Sequence, residues 1–181
     1  NIDSAVSYAT STVSSGSDLI TVSATVPPTF SFSLGSNTAA LGTLSTSSVT
    51  SATGVTLTIS TNARNGWAAW VKNTGLTSST AGQSIAAAGV FGSTYDLTGT
   101  TGYGLDVNSG SGTPTVDTAY DGTGDANYVG VLQTNFKPIA TKATPGASDT
   151  VTLRFRAKIS ATQAAATDYS DTVTVVAAGN F

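Results

Sequence analysis

Apolar and hydroxylated side chains alternate with a period of two along several stretches of this chain, the pattern of a strand with one buried face. In LITVSATV the even positions Ile20, Val22, Ala24 and Val26 are apolar and the odd ones from Thr21 on are Thr or Ser. Pro27 and Pro28 then interrupt the ladder, because proline has no backbone N–H to donate. TFSFSL resumes the same parity with Phe30, Phe32 and Leu34, which predicts one bent strand or two consecutive strands sharing a core face. VTLTIS turns Val55, Leu57 and Ile59 inward in the same way. The clearest strand is VTLRFRAKIS: Val151, Leu153, Phe155, Ala157 and Ile159 point one way, and Thr152, Arg154, Arg156, Lys158 and Ser160 the other. Its outer face is a local basic stripe, expected to be a solvated face that discourages edge-to-edge pairing, with a binding stripe as the other reading. In DYSDTVTVVAAGNF, Tyr169, Val173, Val175 and Ala177 share a side before the terminal Phe181.

Between residues 75 and 150 the alternation weakens, and Gly, Ser, Thr and Asp crowd into GTTGYGLDVNSGSGTPTVD and YDGTGDANY. These are turn and loop compositions, since Gly supplies positive φ and Asp or Asn bonds its own backbone. Shorter strands are expected at VFGSTYDL, YVGVLQTNF and PIATKA. GQSIAAAG and ATQAAATD are candidates for single helical turns, although Ala-rich runs this short are marginal helices without tertiary support. The first eighteen residues, NIDSAVSYATSTVSSGSD, read as a strand with Ile2, Val6 and Tyr8 on one parity and Val13 on the other, followed by a Ser/Gly hinge. The expected organisation is an N-terminal arm over residues 1–18 and one β-sandwich domain over 19–181.

Composition narrows the function. Only 9% of the 181 residues are charged, and Thr, Val, Ser and Gly displace the strong helix formers, so the expectation is all-β. Cys, His and Met are absent and every acidic residue is Asp, which removes the ligands of zinc, haem and iron–sulfur sites. A net charge of −3 with seven basic residues offers no footprint for nucleic acid. No run of about eighteen apolar residues is present, so no helical membrane span is expected. The start at Asn1 predicts a processed, exported product that has lost a signal peptide and works outside the cell or on its surface.

Catalysis is not expected. A serine nucleophile needs a base, usually His; no S-x-x-K occurs, and nothing in the spacing selects two of the ten aspartates as an acid–base pair. Calcium is the one candidate cofactor: Asp121, Thr123, Asp125 and Asn127 place oxygen side chains at alternate positions, with Asp106, Asn108 and Asp117 nearby in sequence. The EF-hand pattern fails at Ala126 and Leu132, and an ordinary Asx turn explains the same residues. In NGWAAWVKN, Trp67, Ala69 and Val71 alternate inward and leave Trp70 on the opposite face, a candidate glycan contact or a ring partly covered by a loop or neighbour.

The strand pair TVSATVPPTFSFSL and the closing ATDYSDTVTVVAAGNF resemble secreted prokaryotic β-sandwich surface proteins, the spore-coat-U type and the TasA/camelysin-like fibre subunits. The resemblance covers the two ends of the chain and not its middle, and the Cys pair common in the spore-coat-U type is missing. It implies a jelly-roll or immunoglobulin-like antiparallel sandwich with an N-terminal extension strand, and polymerisation of copies by donor-strand complementation. On that expectation residues 1–13 enter a neighbouring subunit through Ile2, Val6, Tyr8 and Val13, making an extracellular filament or surface layer, the alternative being an ordinary first strand paired within its own subunit. The rival expectation is a monomeric carbohydrate-binding or adhesive module that uses Trp70.

Overall fold

In the computed structural model, which describes residues 20–122 and 127–181, the alternating segments become thirteen strands. They are β1 (Phe30–Leu34), β2 (Thr50–Ser51), β3 (Val55–Thr61), β4 (Trp67–Lys72), β5 (Leu76–Ser78), β6 (Gln83–Ile85) and β7 (Thr94–Asp96). After these come β8 (Gly102–Ser109), β9 (Thr115–Val116), β10 (Tyr128–Gly130), β11 (Lys137–Lys142), β12 (Gly146–Lys158) and β13 (Thr174–Gly179). The described residues contain no helix: the GQSIAAAG stretch supplies β6, and ATQAAATD is turn and bend. Neither run reaches the length at which a helix sustains itself.

The strands form an antiparallel β-sandwich. One sheet runs β1-β3-β12-β8-β10-β7 with β2 beside β12, the second runs β13-β4-β11-β9, and β5 with β6 makes a small third. Residues directly opposite in an antiparallel pair share a face. Leu57 faces Val151, Val55 faces Leu153, and Leu153 faces Val107, so these apolar sets line one side of the large sheet. Trp67, Ala69 and Val71 of β4 meet them from the other sheet in one continuous core. Gly66, at φ 70°, makes the turn that launches β4, and a Cβ there would fall 1.8 Å from the Lys142 carbonyl oxygen.

The outer face of β12 departs from the sequence expectation. Arg156 is buried rather than solvated: its Nη1 lies 3.0 Å from Asp106 Oδ2 and donates to the Tyr128 carbonyl at 2.8 Å, and its Nε donates to Ser51 Oγ at 3.2 Å. The loop-rich middle of the chain folds over this side of the sheet, where Ala88, Leu97 and Val129 form a second small core with Val49 and Tyr95. A guanidinium held in such a place needs a paired carboxylate and filled donors, which Asp106 and the two oxygens provide. Lys158, further along the same face, donates to the Thr98 carbonyl at 2.7 Å.

Candidate assembly interface

Strand β1 ends the large sheet, with one edge on β3 and no described strand on the other. Gly35 N–H donates to the Thr56 carbonyl at 2.7 Å, and Asn62 N–H donates to the Thr29 carbonyl at 3.3 Å. Odd-numbered residues therefore turn their backbone groups toward β3. The alternation of an antiparallel ladder then aims the N–H and C=O groups of Phe30, Phe32 and Leu34 out of the free edge. The side chains of these three residues stand opposite Thr61, Ile59 and Leu57 and so point to the inter-sheet side. Ile59 and Leu57 are fully buried there, yet Phe30, Phe32 and Leu34 remain 37%, 37% and 38% exposed. The sandwich is open along this edge.

The facing edge is β13, which ends the second sheet and lies beside β1. Val175 and Ala177 turn inward against the core. At Gly179 a Cβ would come within 3.2 Å of the Phe30 ring and 3.0 Å of the Phe181 ring, so the cleft between the two edges is crowded at its Phe30 end.

Two aspartates fix the approach to β13. Asp171 accepts from Asn73 Nδ2, Thr74 N–H and Oγ1, and Gly75 N–H, at 2.9 to 3.1 Å. Asp168 accepts from Ser78 Oγ, and from Ser79 Oγ, Thr80 N–H and Thr80 Oγ1 at 2.9 Å each. The Ser78 hydroxyl, followed by the Thr80 amide, holds the Asp168 carboxyl well below the usual carboxylate range. Burial pushes the Tyr103 hydroxyl far above the ordinary phenol value, and the charge of Asp171 adds to the effect.

Residues 20–26 of LITVSATV do not share the core of the domain as the sequence predicts. Residues 20–26 lie outside every strand, and Ile20, Val22 and Val26 are 92%, 89% and 81% exposed. The segment leaves the domain at a clamp: Asn62 Nδ2 donates to the Pro27 carbonyl at 2.8 Å, Thr29 N–H donates to Asn62 Oδ1 at 2.8 Å, and Thr61 Oγ1 donates to the Thr29 carbonyl at 2.9 Å. Alternation alone therefore does not place a segment in the core of its own sheet.

Ile2, Val6, Tyr8 and Val13 lie outside the described residues, as do Thr123 and Asp125 of the calcium candidate. Of the remaining members, Asp121 is half-buried and Asn127 accepts Leu97 N–H at its carbonyl, 3.1 Å away. Asp106 is committed through Oδ2 to Arg156 and to Asn108 Nδ2 at 2.7 Å. Among the described residues no group of three acidic side chains is placed to hold a metal ion. Trp67 is fully buried, whereas Trp70 is half-buried on the outer face of its sheet between Val176 and Pro138. No described helix is long and apolar enough to cross a membrane.

Asp149, which is not among the candidates read from the sequence, is fully enclosed and bonds both Trp67 and Lys142. Its parity would have revealed it, because 149 continues the inward series 151, 153, 155 and 157. Comparison with protein-family models, curated proteins and solved structures finds no match.

Proposed function

We propose that the chain is a structural subunit of an extracellular filament or surface layer, in which a strand lent by one copy completes the sandwich of the next. The observation that carries this reading is the free edge of β1. There the outward backbone groups of Phe30, Phe32 and Leu34 coincide with half-exposed apolar side chains on the inter-sheet side. A long apolar edge is an aggregation hazard unless something pairs with it, and strand addition satisfies backbone and side chains together. When each copy gives one strand and accepts another head to tail, the contact propagates without closing.

Size-exclusion chromatography with negative-stain microscopy of the full chain tests this reading. Filaments or sheets are expected from the native protein. Phe32→Lys should give folded monomers with a moderately lowered melting temperature, since it loads the edge with charge and also removes the part of the ring that packs toward the inter-sheet side beside Ile59. A native protein that stays monomeric at high concentration refutes assembly. The second reading, a glycan-binding or adhesive module, draws on the outer-face strip of Val176, Trp70 and Pro138. Glycan binding abolished by Trp70→Ala in a monomeric protein would favour it.

A further inference from the structure

Resting on the proposal that copies complete one another, we infer that the inserted strand is residues 20–26 of a second copy, pairing antiparallel with the free edge of β1. Ile20, Val22 and Ala24 of the donor then stand opposite Leu34, Phe32 and Phe30 of the acceptor.

Four observations converge on this segment. Its even-numbered side chains are all apolar and the large ones among them are almost wholly exposed, so no described residue of their own chain covers them. Three apolar residues at period two match three apolar residues at period two on β1, whose backbone groups face outward. Every pairing between named strands in the sheets is antiparallel, so the added strand continues the existing pattern. With Val22 opposite Phe32, the small Ala24 falls opposite Phe30, the crowded end of the cleft beside Gly179 and Phe181.

The same chain cannot readily fold this strand back on itself. A hairpin from residue 26 into β1 would have to turn within residues 27–29. Short hairpin loops pass through helical and left-handed backbone, while Pro28 disfavours the helical region for Pro27 and Pro27 does the same to Val26. The Asn62 clamp in addition ties Pro27 and Thr29 to the end of β3. The arm is therefore directed outward from a fixed point, as a donor requires.

Cysteine cross-linking of the full chain tests the inference cleanly, because the native sequence has no Cys. Hydrogen-bonded antiparallel partners stand ~5.5 Å apart at Cα, within the range of a disulfide. Copies carrying both Val22→Cys and Phe32→Cys should oxidise to a reducible ladder of dimers, trimers and longer species. A mixture of the two single variants should stop at dimers containing one of each. A ladder from Val6→Cys with Phe32→Cys, and none from the Val22 pair, overturns residues 20–26 as donor but leaves strand insertion standing. Assembly with a ladder from neither pair overturns the donor assignment as well. A fast-migrating, internally cross-linked monomer from the Val22 pair shows pairing within one chain and overturns the inference. Absence of assembly in the native protein overturns both the inference and the function it rests on.

Discussion

The indole N–H of Trp67 donates to Asp149 Oδ2 at 2.8 Å, joining the two sheets through the interior, while Lys142 Nζ holds Oδ1 of the same carboxylate at 2.7 Å. Both Trp67 and Asp149 are enclosed by the core. An enclosed carboxylate is costly unless it is paired, so removing either partner leaves a charged or polar group stranded. Asp149→Ala is expected to cost about 3–5 kcal/mol in urea unfolding, because Lys142 and the indole lose their acceptor together. Trp67→Phe, which keeps most of the apolar volume, should cost about 1–3 kcal/mol through the unpaired oxygen. If both variants unfold at the native midpoint, this inter-sheet bond contributes nothing to stability.

Arg156 and Arg154 are two residues apart on one strand and share a face, yet only Arg156 is enclosed. Arg156→Ala strands Asp106 and frees Ser51 and the Tyr128 carbonyl, with an expected loss of about 3–5 kcal/mol. Arg154→Ala should stay within about 0.5 kcal/mol of the native protein. Thermal unfolding of the two variants side by side provides the check, and equal effects would mean that the covering layer does not seal Arg156 from water.

Much of the sandwich was legible in the sequence because one face of each long strand is buried by the opposite sheet. The inward sets of β3 and β12, and the division of Trp67 from Trp70, follow from parity alone. Periodicity names the core face but not what lies over the other one. Arg156 therefore reads as part of a solvated stripe, until a loop-rich segment without a period of its own covers it. For the same reason LITVSATV reads as a strand of its own domain: its alternation records a need for burial that a neighbour can meet as well as the chain itself. The pairing of Asp168 and Asp171 with the turns at residues 73–80 was not legible, because donors and acceptors lie 88 to 98 residues apart in sequence and only the fold brings them together.

Asp168 should make stability depend on acid. Its folded pKa lies below the ordinary Asp value of about 3.9. The stabilisation is thus present in full above that value and is lost as pH falls through the lower folded one. Asp168→Asn should consequently melt below the native protein at pH 7, and the gap should narrow steadily as the pH is taken below about 3.9. Melting curves across that range decide it, and a gap independent of pH would assign the effect to shape rather than charge.

If copies exchange strands as proposed, the Asn62 clamp should separate assembly from folding. Asn62 sits at the surface, just beyond β3, and among the described residues its side chain bonds only the segment from which residues 20–26 depart. Asn62→Ala removes two hydrogen bonds to exposed backbone groups that water can replace, so its expected cost is about 1 kcal/mol or less. Its effect on polymerisation should be larger in proportion. Without the clamp the arm samples many exit directions, and a donor held in its bound direction associates more readily than one that must first be ordered. Light-scattering traces of assembly are expected to show a slower approach and a higher critical concentration for Asn62→Ala, with a melting temperature close to native. Native assembly kinetics in that variant would mean that the direction of the arm is set by the partner and not by the subunit that carries it.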